Sequence, residues 1–250
     1  MKLFNDLDMN TLYAFGCSFT DWNYQRIFYN EQEDNPHKKE GFFKEEHHFI
    51  HRLATELGMK CVNKGQSGSN NERILKSFYW EQPLFKRGDV ILLQSTCGHR
   101  KTFHHDPTGD SFDWMHEYPA GHEAALIKMR GNGISDDFIK TVNRYSVLYN
   151  SREKTTKTMY QAYPMISEWC ETKGIKIIFW SIEKTPKNPY LFLPPGNDDW
   201  YEFMGEHKLT ISDELDNLAR TDDHVSITGM DTMFELFYKE LHQEKSYFYY

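Results

Sequence analysis

Leu12-Tyr13-Ala14-Phe15-Gly16-Cys17-Ser18-Phe19-Thr20 is the stretch on which the reading of this chain turns. Its first four residues form an apolar run, too short for a helix and closed by a glycine, the pattern of a buried strand that ends in a turn. Gly16 lets the backbone turn sharply, so the strand ends by presenting the hydroxyl of Ser18. A serine in that place more often caps a helix or simply ends a strand. Its meaning depends on what the rest of the chain supplies.

Downstream, strand and helix patterns alternate. Ile50, Leu53, Ala54 and Leu57 recur at helical spacing before the stop signal Gly58, and Cys61-Val62 makes a brief second strand. Residues 63 to 71 are rich in Gly, Ser and Asn and lead into a helix with Ile74, Leu75 and Phe78 on one face. Asp89-Val90-Ile91-Leu92-Leu93 is the clearest strand, and Ile175-Lys176-Ile177-Ile178-Phe179-Trp180 is a fourth. Helical spacing recurs at Phe138, Val142, Tyr145 and Tyr149, at Met159, Ala162, Ile166 and Trp169, and at Met230, Phe234, Phe237 and Leu241. Pro164 must begin or kink part of the second of these helices.

That alternation predicts an α/β fold, a mostly parallel sheet with helices on both faces and right-handed crossovers. Two stretches, about 102–132 and 184–216, lack periodicity and follow the C-terminal ends of strands, where open α/β sheets bind ligands. They are either walls of a cleft or packed surface excursions. No repeat or linker divides the chain, so a single domain over 1–250 is expected.

The formal net charge is -8, which offers no excess of cations to neutralise phosphates, and nucleic acid is not an expected partner. Aromatic residues make up 16% of the chain, so the mean hydropathy of -0.73 reflects charged surface and not a missing core. Residues 1–10 have no apolar run suited to a signal peptide, and no membrane partner is expected. Cys17, Cys61, Cys97 and Cys170 lie far apart without a C-x-x-C pair and read as reduced, buried thiols.

Asp222-Asp223-His224 lies directly before the closing helix. A serine, a carboxylate and a histidine suffice for acyl transfer: the histidine takes the hydroxyl proton and returns it to the leaving group, while the acid orients the ring. The arrangement resembles the SGNH, or GDSL-like, hydrolase family, in its phage and bacterial variant with a Phe-Gly-Cys-Ser-Phe-Thr first block. Here that block is Phe15 to Thr20; residues 62–73 look like the second block, and Asp222 to His224 like the last.

The resemblance implies a flavodoxin-like three-layer sandwich of about five strands. It makes Ser18 the nucleophile, His224 the base and Asp222 its orienter, with backbone N–H groups of Ser18 and Gly68 in the oxyanion hole and Asn70 as the expected stand-in for its side-chain donor. It further implies an acyl ester substrate, an O-acetylated carbohydrate being favoured, and a cytoplasmic or phage-associated setting. The mechanism needs no cofactor and no metal.

Three departures from the family pattern stand out. The third block normally supplies an Asn donor, whereas Gln94-Ser95-Thr96-Cys97-Gly98-His99-Arg100 follows the central strand here. Ser95 or Thr96, or else Asn70 or Asn71, would have to stand in, and Asn71, Ser95, Thr96 and Arg100 are the expected substrate contacts. The acid normally precedes the His by three positions, which is Thr221, leaving Asp222 ahead of Asp223 as orienter. The last family strand is not evident unless Tyr190-Leu191-Phe192-Leu193 supplies it.

These departures keep open a non-catalytic binding or structural module on the same scaffold, and an O-acyltransferase. His104-His105-Asp106 with His116 and His122 matches no metal spacing and reads as polar loop. His47 and His51 read as surface residues, and Arg73 faces either an anionic or sugar substrate or solvent. Ser246-Tyr247-Phe248-Tyr249-Tyr250 is either a docking segment for another protein or a tail folded on its own domain.

Overall fold

The structure is a computed structural model that describes residues 9–31, 41–96, 100–105, 110–115, 135–137, 140, 152–182, 188–215 and 223–243. In chain order the elements are β1 (Thr11–Phe15), α1 (Trp22–Asn30), α2 (Phe49–Glu56), β2 (Lys60–Asn63), α3 (Asn71–Glu81), β3 (Val90–Ser95), β4 (Arg100–His105) and β5 (Asp110–Met115). There follow α4 (Arg152–Lys173), β6 (Lys176–Ser181), α5 (Trp200–Glu206), α6 (Ile211–Glu214) and α7 (Ile227–His242). The main sheet has four strands in the order β2-β1-β3-β6, all parallel.

Alternation along the strands builds the three layers. Leu12 and Ala14 of β1, Val90 and Leu92 of β3, and Ile178 and Trp180 of β6 pack with Phe49, Ile50 and Leu53 of α2 and with Met230, Met233 and Phe237 of α7. Tyr13, Phe15, Ile91, Leu93 and Phe179 point the other way, onto Ile74 and Phe78 of α3 and Met159, Tyr163, Ile166 and Cys170 of α4. A strand buried on both faces reads as a continuous apolar run, as β1 and β3 do. Each such side chain contributes roughly 1.5–3 kcal/mol relative to exposure. The fold is the expected flavodoxin-like α/β sandwich.

The fifth strand is reduced to one residue: Leu191 makes a lone parallel bridge with Phe179, where the Phe192 N–H donates to the Phe179 carbonyl at 2.7 Å. Neither long stretch is plain loop. β4, which begins at Arg100 just ahead of the first stretch, pairs antiparallel with β5 inside it, and α5 and α6 lie within 184–216. Pro164 falls inside one continuous helix, α4, where its missing N–H removes a backbone bond. The helix expected around Phe138 to Tyr149 lies mostly outside the described residues, as do His116, His122 and the aromatic tail.

Strand order reverses between β1 and β3, since β2 lies on one side of β1 and β3 on the other. The crevice at such a point, beyond the C-terminal strand ends, is where open α/β sheets hold ligands. Ser18 follows β1 by three residues and stands at that point.

α2 starts on an unusual cap. His48 is fully buried, and its Nδ1 accepts the N–H of Ile50 at 3.4 Å, which requires a neutral ring. Burial, and then neighbouring His51, hold its pKa well below the ordinary histidine value. His51 is lowered as well, by burial, with Glu45 opposing. It is not the surface residue expected: Nδ1 lies 2.9 Å from a Glu45 carboxylate oxygen, and its side chain is 11% exposed.

A depressed histidine leaves the unfolded chain binding more protons below about pH 6.5, so its stabilising contribution is complete above that value and is lost as the pH falls. A cation there would also oppose the positive end of the helix dipole. We expect the urea midpoint to drop between pH 7 and 5, and to drop less in His48→Asn, which keeps a capping oxygen but cannot be protonated. Parallel profiles for the two proteins would refute this.

Candidate active site

The turn after β1 is held from four sides. The N–H groups of Thr20 and Asp21 both donate to the Cys17 carbonyl at 3.0 Å, closing the chain on itself. Gln94, at 0% exposure on β3, accepts the Cys17 N–H at 3.0 Å and the Thr20 hydroxyl at 2.6 Å through one amide oxygen. Asn63 of β2 donates to the Thr20 carbonyl at 2.7 Å and accepts the Gly65 N–H at 2.9 Å. Asp21 caps α1 by accepting the Asn23 N–H at 3.1 Å, and its other oxygen takes the Ser67 N–H at 2.9 Å.

Such closeness needs glycine at two positions. A Cβ on Gly65 would lie 2.5 Å from the Thr20 carbonyl carbon and 2.6 Å from the Asp21 nitrogen, and one on Gly16 would strike Thr20 and Gln94.

His224 arrives from the far end of the chain. Its carbonyl accepts the Ile211 N–H at 2.7 Å, the Ser226 N–H donates to the Leu209 carbonyl at 2.9 Å, and Thr210 bridges to Val225. Ser226 then caps α7 by accepting the Gly229 N–H at 3.1 Å. The loop is thus pinned between α6 and α7. It brings the His224 Nε2 to 2.7 Å from the Ser18 Oγ, the distance at which a base shares a nucleophile's proton. Ser18 itself is 4% exposed, at the floor of the site.

The remaining expected residues divide. Gly68 has φ +80, a conformation that favours glycine, and open space around its Cβ position. Asn70 is buried and caps α3, its side-chain oxygen accepting the Arg73 N–H at 2.9 Å. The Asn71 amide donates to the Thr96 carbonyl at 3.0 Å and accepts the Thr96 N–H at 2.8 Å, tying α3 to the end of β3. The Ser95 hydroxyl donates to the Trp180 carbonyl at 3.4 Å. Arg100 opens β4. Asp222 lies outside the described residues; Asp223 is exposed and accepts the Tyr201 hydroxyl at 2.8 Å.

Sequence reasoning missed Gln94, whose role appears only when β3 is laid beside β1, and Tyr24, whose ring stacks on His224 with centroids 3.8 Å apart. Among the described residues no cluster of three His, Cys, Asp or Glu side chains stands ready for a metal, and no helix is long and apolar enough to cross a membrane. Cys17, Cys61 and Cys170 are free thiols. Burial pushes Cys61 and Cys170 up to about 12, so neither supplies a thiolate at neutral pH.

No family model matches the chain, and no curated protein matches it. Among solved structures it is similar to a protein from Desulfitobacterium hafniense DCB-2 described as lipolytic and of the G-D-S-L family. That match has 15% identity and a TM-score of 0.34, covering 92% of this chain and 98% of the other. An α/β hydrolase enzyme from the metagenome of Lake Arreo, Spain, matches at 12% identity and TM-score 0.39, covering 91% and 93%. A catalytic variant of an acetylxylan esterase from Geobacillus stearothermophilus matches at 15% and 0.37, covering 95% of each chain. Likeness at this level carries no argument about activity, and what the site can do rests on its own geometry.

Proposed function

We propose that the chain is a serine hydrolase that cleaves acyl esters, with Ser18 as nucleophile and His224 as general base. The observation that carries this reading is the 2.7 Å contact between Ser18 Oγ and His224 Nε2 across two segments that share nothing else in sequence. With the serine hydroxyl donating, Nε2 is the acceptor and the ring proton sits on Nδ1. Asp222 is the carboxylate proposed to hold it there.

As Oγ attacks the acyl carbon, its proton passes to Nε2 and the carbonyl oxygen takes up negative charge. The N–H groups of Ser18 and Gly68 and the Asn70 amide are the proposed donors to that oxygen. The bond to the alcohol then breaks, the alcohol leaves with the proton from His224, and water repeats the cycle to free the acid. The favoured substrate class is an O-acetylated carbohydrate.

One observation favours a second reading, a binding module on the same scaffold: at the end of β3, Thr96 spends its backbone N–H and carbonyl on Asn71, and Ser95 spends its hydroxyl on the Trp180 carbonyl, so those groups are not available to an oxyanion. Treatment with a fluorophosphonate, followed by mass spectrometry to locate the adduct, separates the two. Modification of Ser18 at neutral pH supports the hydrolase; a folded protein that stays unmodified supports the module.

A further inference from the structure

The segment that supplies Ser18 also supplies the walls around its base. Phe19 is the next residue, and Tyr24 lies in the first turn of α1, whose start Asp21 ties to Ser67. Both rings stack on the His224 imidazole: Phe19 at 4.7 Å between centroids and 29° between planes, Tyr24 at 3.8 Å and 28°. Phe19 is 6% exposed and Tyr24 half-buried, so the imidazole is largely shielded from water where it contacts them.

Stacking of this kind distinguishes the two states of the base. A neutral imidazole gains mainly dispersion from an aromatic face, whereas an imidazolium is attracted by the negative face of the ring, the more so where water is excluded. In the proposed reaction His224 takes the Ser18 proton and gains positive charge as Oγ attacks, so the attraction grows on the way to the transition state, and only such growing interactions raise a rate. The exposed carboxylate of Asp223 accepts the Tyr201 hydroxyl.

We propose that Tyr24 is a positioning residue, which together with Phe19 fixes the His224 ring against Ser18 and stabilises the imidazolium formed during acyl transfer. The proposal rests on the serine-hydrolase reading and adds to it a charge-stabilising role for the ring faces that contact His224. With a fluorophosphonate the step balances: the Oγ–phosphorus bond forms, the phosphorus–fluorine bond breaks with its electrons leaving on fluoride, and the serine proton goes to Nε2.

The test uses the full chain and follows inactivation by a fluorophosphonate, separating its maximal rate from its binding constant. Variants are Tyr24→Phe, Tyr24→Leu, and replacement of Tyr24 by phenylalanines carrying one and then three ring fluorines. Fluorination withdraws charge from the ring face at nearly constant shape, so a purely structural wedge would not respond to it.

The maximal rate is expected to stay near wild type in Tyr24→Phe and to fall in Tyr24→Leu by about 2- to 30-fold, the span of a cation–π contact, with binding unchanged. It is expected to step down with each fluorine at constant thermal midpoint. Should Tyr24→Leu misfold, the fluorinated series still decides. A wild-type rate in Tyr24→Leu, or no order among the fluorinated variants while wild type reacts, overturns this role and leaves the hydrolase reading standing. An inert Ser18 in the wild type overturns both.

Discussion

His224→Ala is expected to lower ester cleavage at Ser18 by about 10⁴- to 10⁶-fold, because nucleophile and base act as one unit and losing either removes nearly the whole advantage. In the proposed reaction the Ser18 hydroxyl gives its proton across 2.7 Å to Nε2, and an alanine leaves no group to receive it there. Backbone donors would remain, so a small residual rate is expected, and Ser18→Ala combined with His224→Ala should cost little more than either alone.

The loop itself should survive the change, since its anchors are backbone bonds from Ile211 and Ser226 and not the imidazole. The measurement is kcat/KM with p-nitrophenyl acetate beside thermal unfolding of the same samples. A loss below tenfold in a folded variant would mean that the base has been misassigned.

Gly16→Ala should be the most damaging small substitution near the site. The added methyl would lie 2.1 Å from the Thr20 hydroxyl oxygen, 2.2 Å from the Gln94 amide oxygen and 2.7 Å from the Thr20 Cβ. Those two side chains cannot simply swing away: Gln94 is fully buried on β3, Thr20 is 1% exposed, and they are bonded to each other at 2.6 Å. Relief requires β1 to move from β3 or the Gln94 bonds to break, so about 3 kcal/mol or more of stability should be lost, above the usual range for overpacking.

Gly68→Ala is the useful contrast. Its Cβ would meet nothing within 4 Å, so only the strain of φ +80 remains, about 1 kcal/mol. Chemical denaturation of both variants checks the ordering; equal losses would contradict the close packing of the turn.

Much of the sheet was legible because burial leaves a mark on sequence. β1, β3 and β6 are apolar at successive positions since both faces are covered, and α2, α3 and α7 carry their buried residues at helical spacing. The pairing of β4 with β5 was not legible, although Pro107 and Gly109, residue types that favour turns, were the available signal. α1 escaped because buried Gln25 interrupts its apolar face, yet Asp21 marked its start.

α5 and α6 carried comparable marks in Asp199 ahead of Glu202 and Thr210 ahead of Asp213. In the site, order along the chain pointed to Ser18 and His224. The bonds of Asn71 to Thr96 were not legible, because only tertiary structure brings that backbone near, and Gln94 and Tyr24 gave no sign for the same reason.

Ser18 and His224 are separated by 206 positions. A ribosome adding roughly 5–20 residues per second takes roughly 10–40 s to cover that distance. During that interval Ser18 would stand without its proposed base, as an ordinary serine. If Ser18 is the proposed nucleophile, reactivity would switch on only once the segment carrying His224 has docked beside it, so an activity-based label would count assembled molecules and pass over those in which that segment is missing or misplaced.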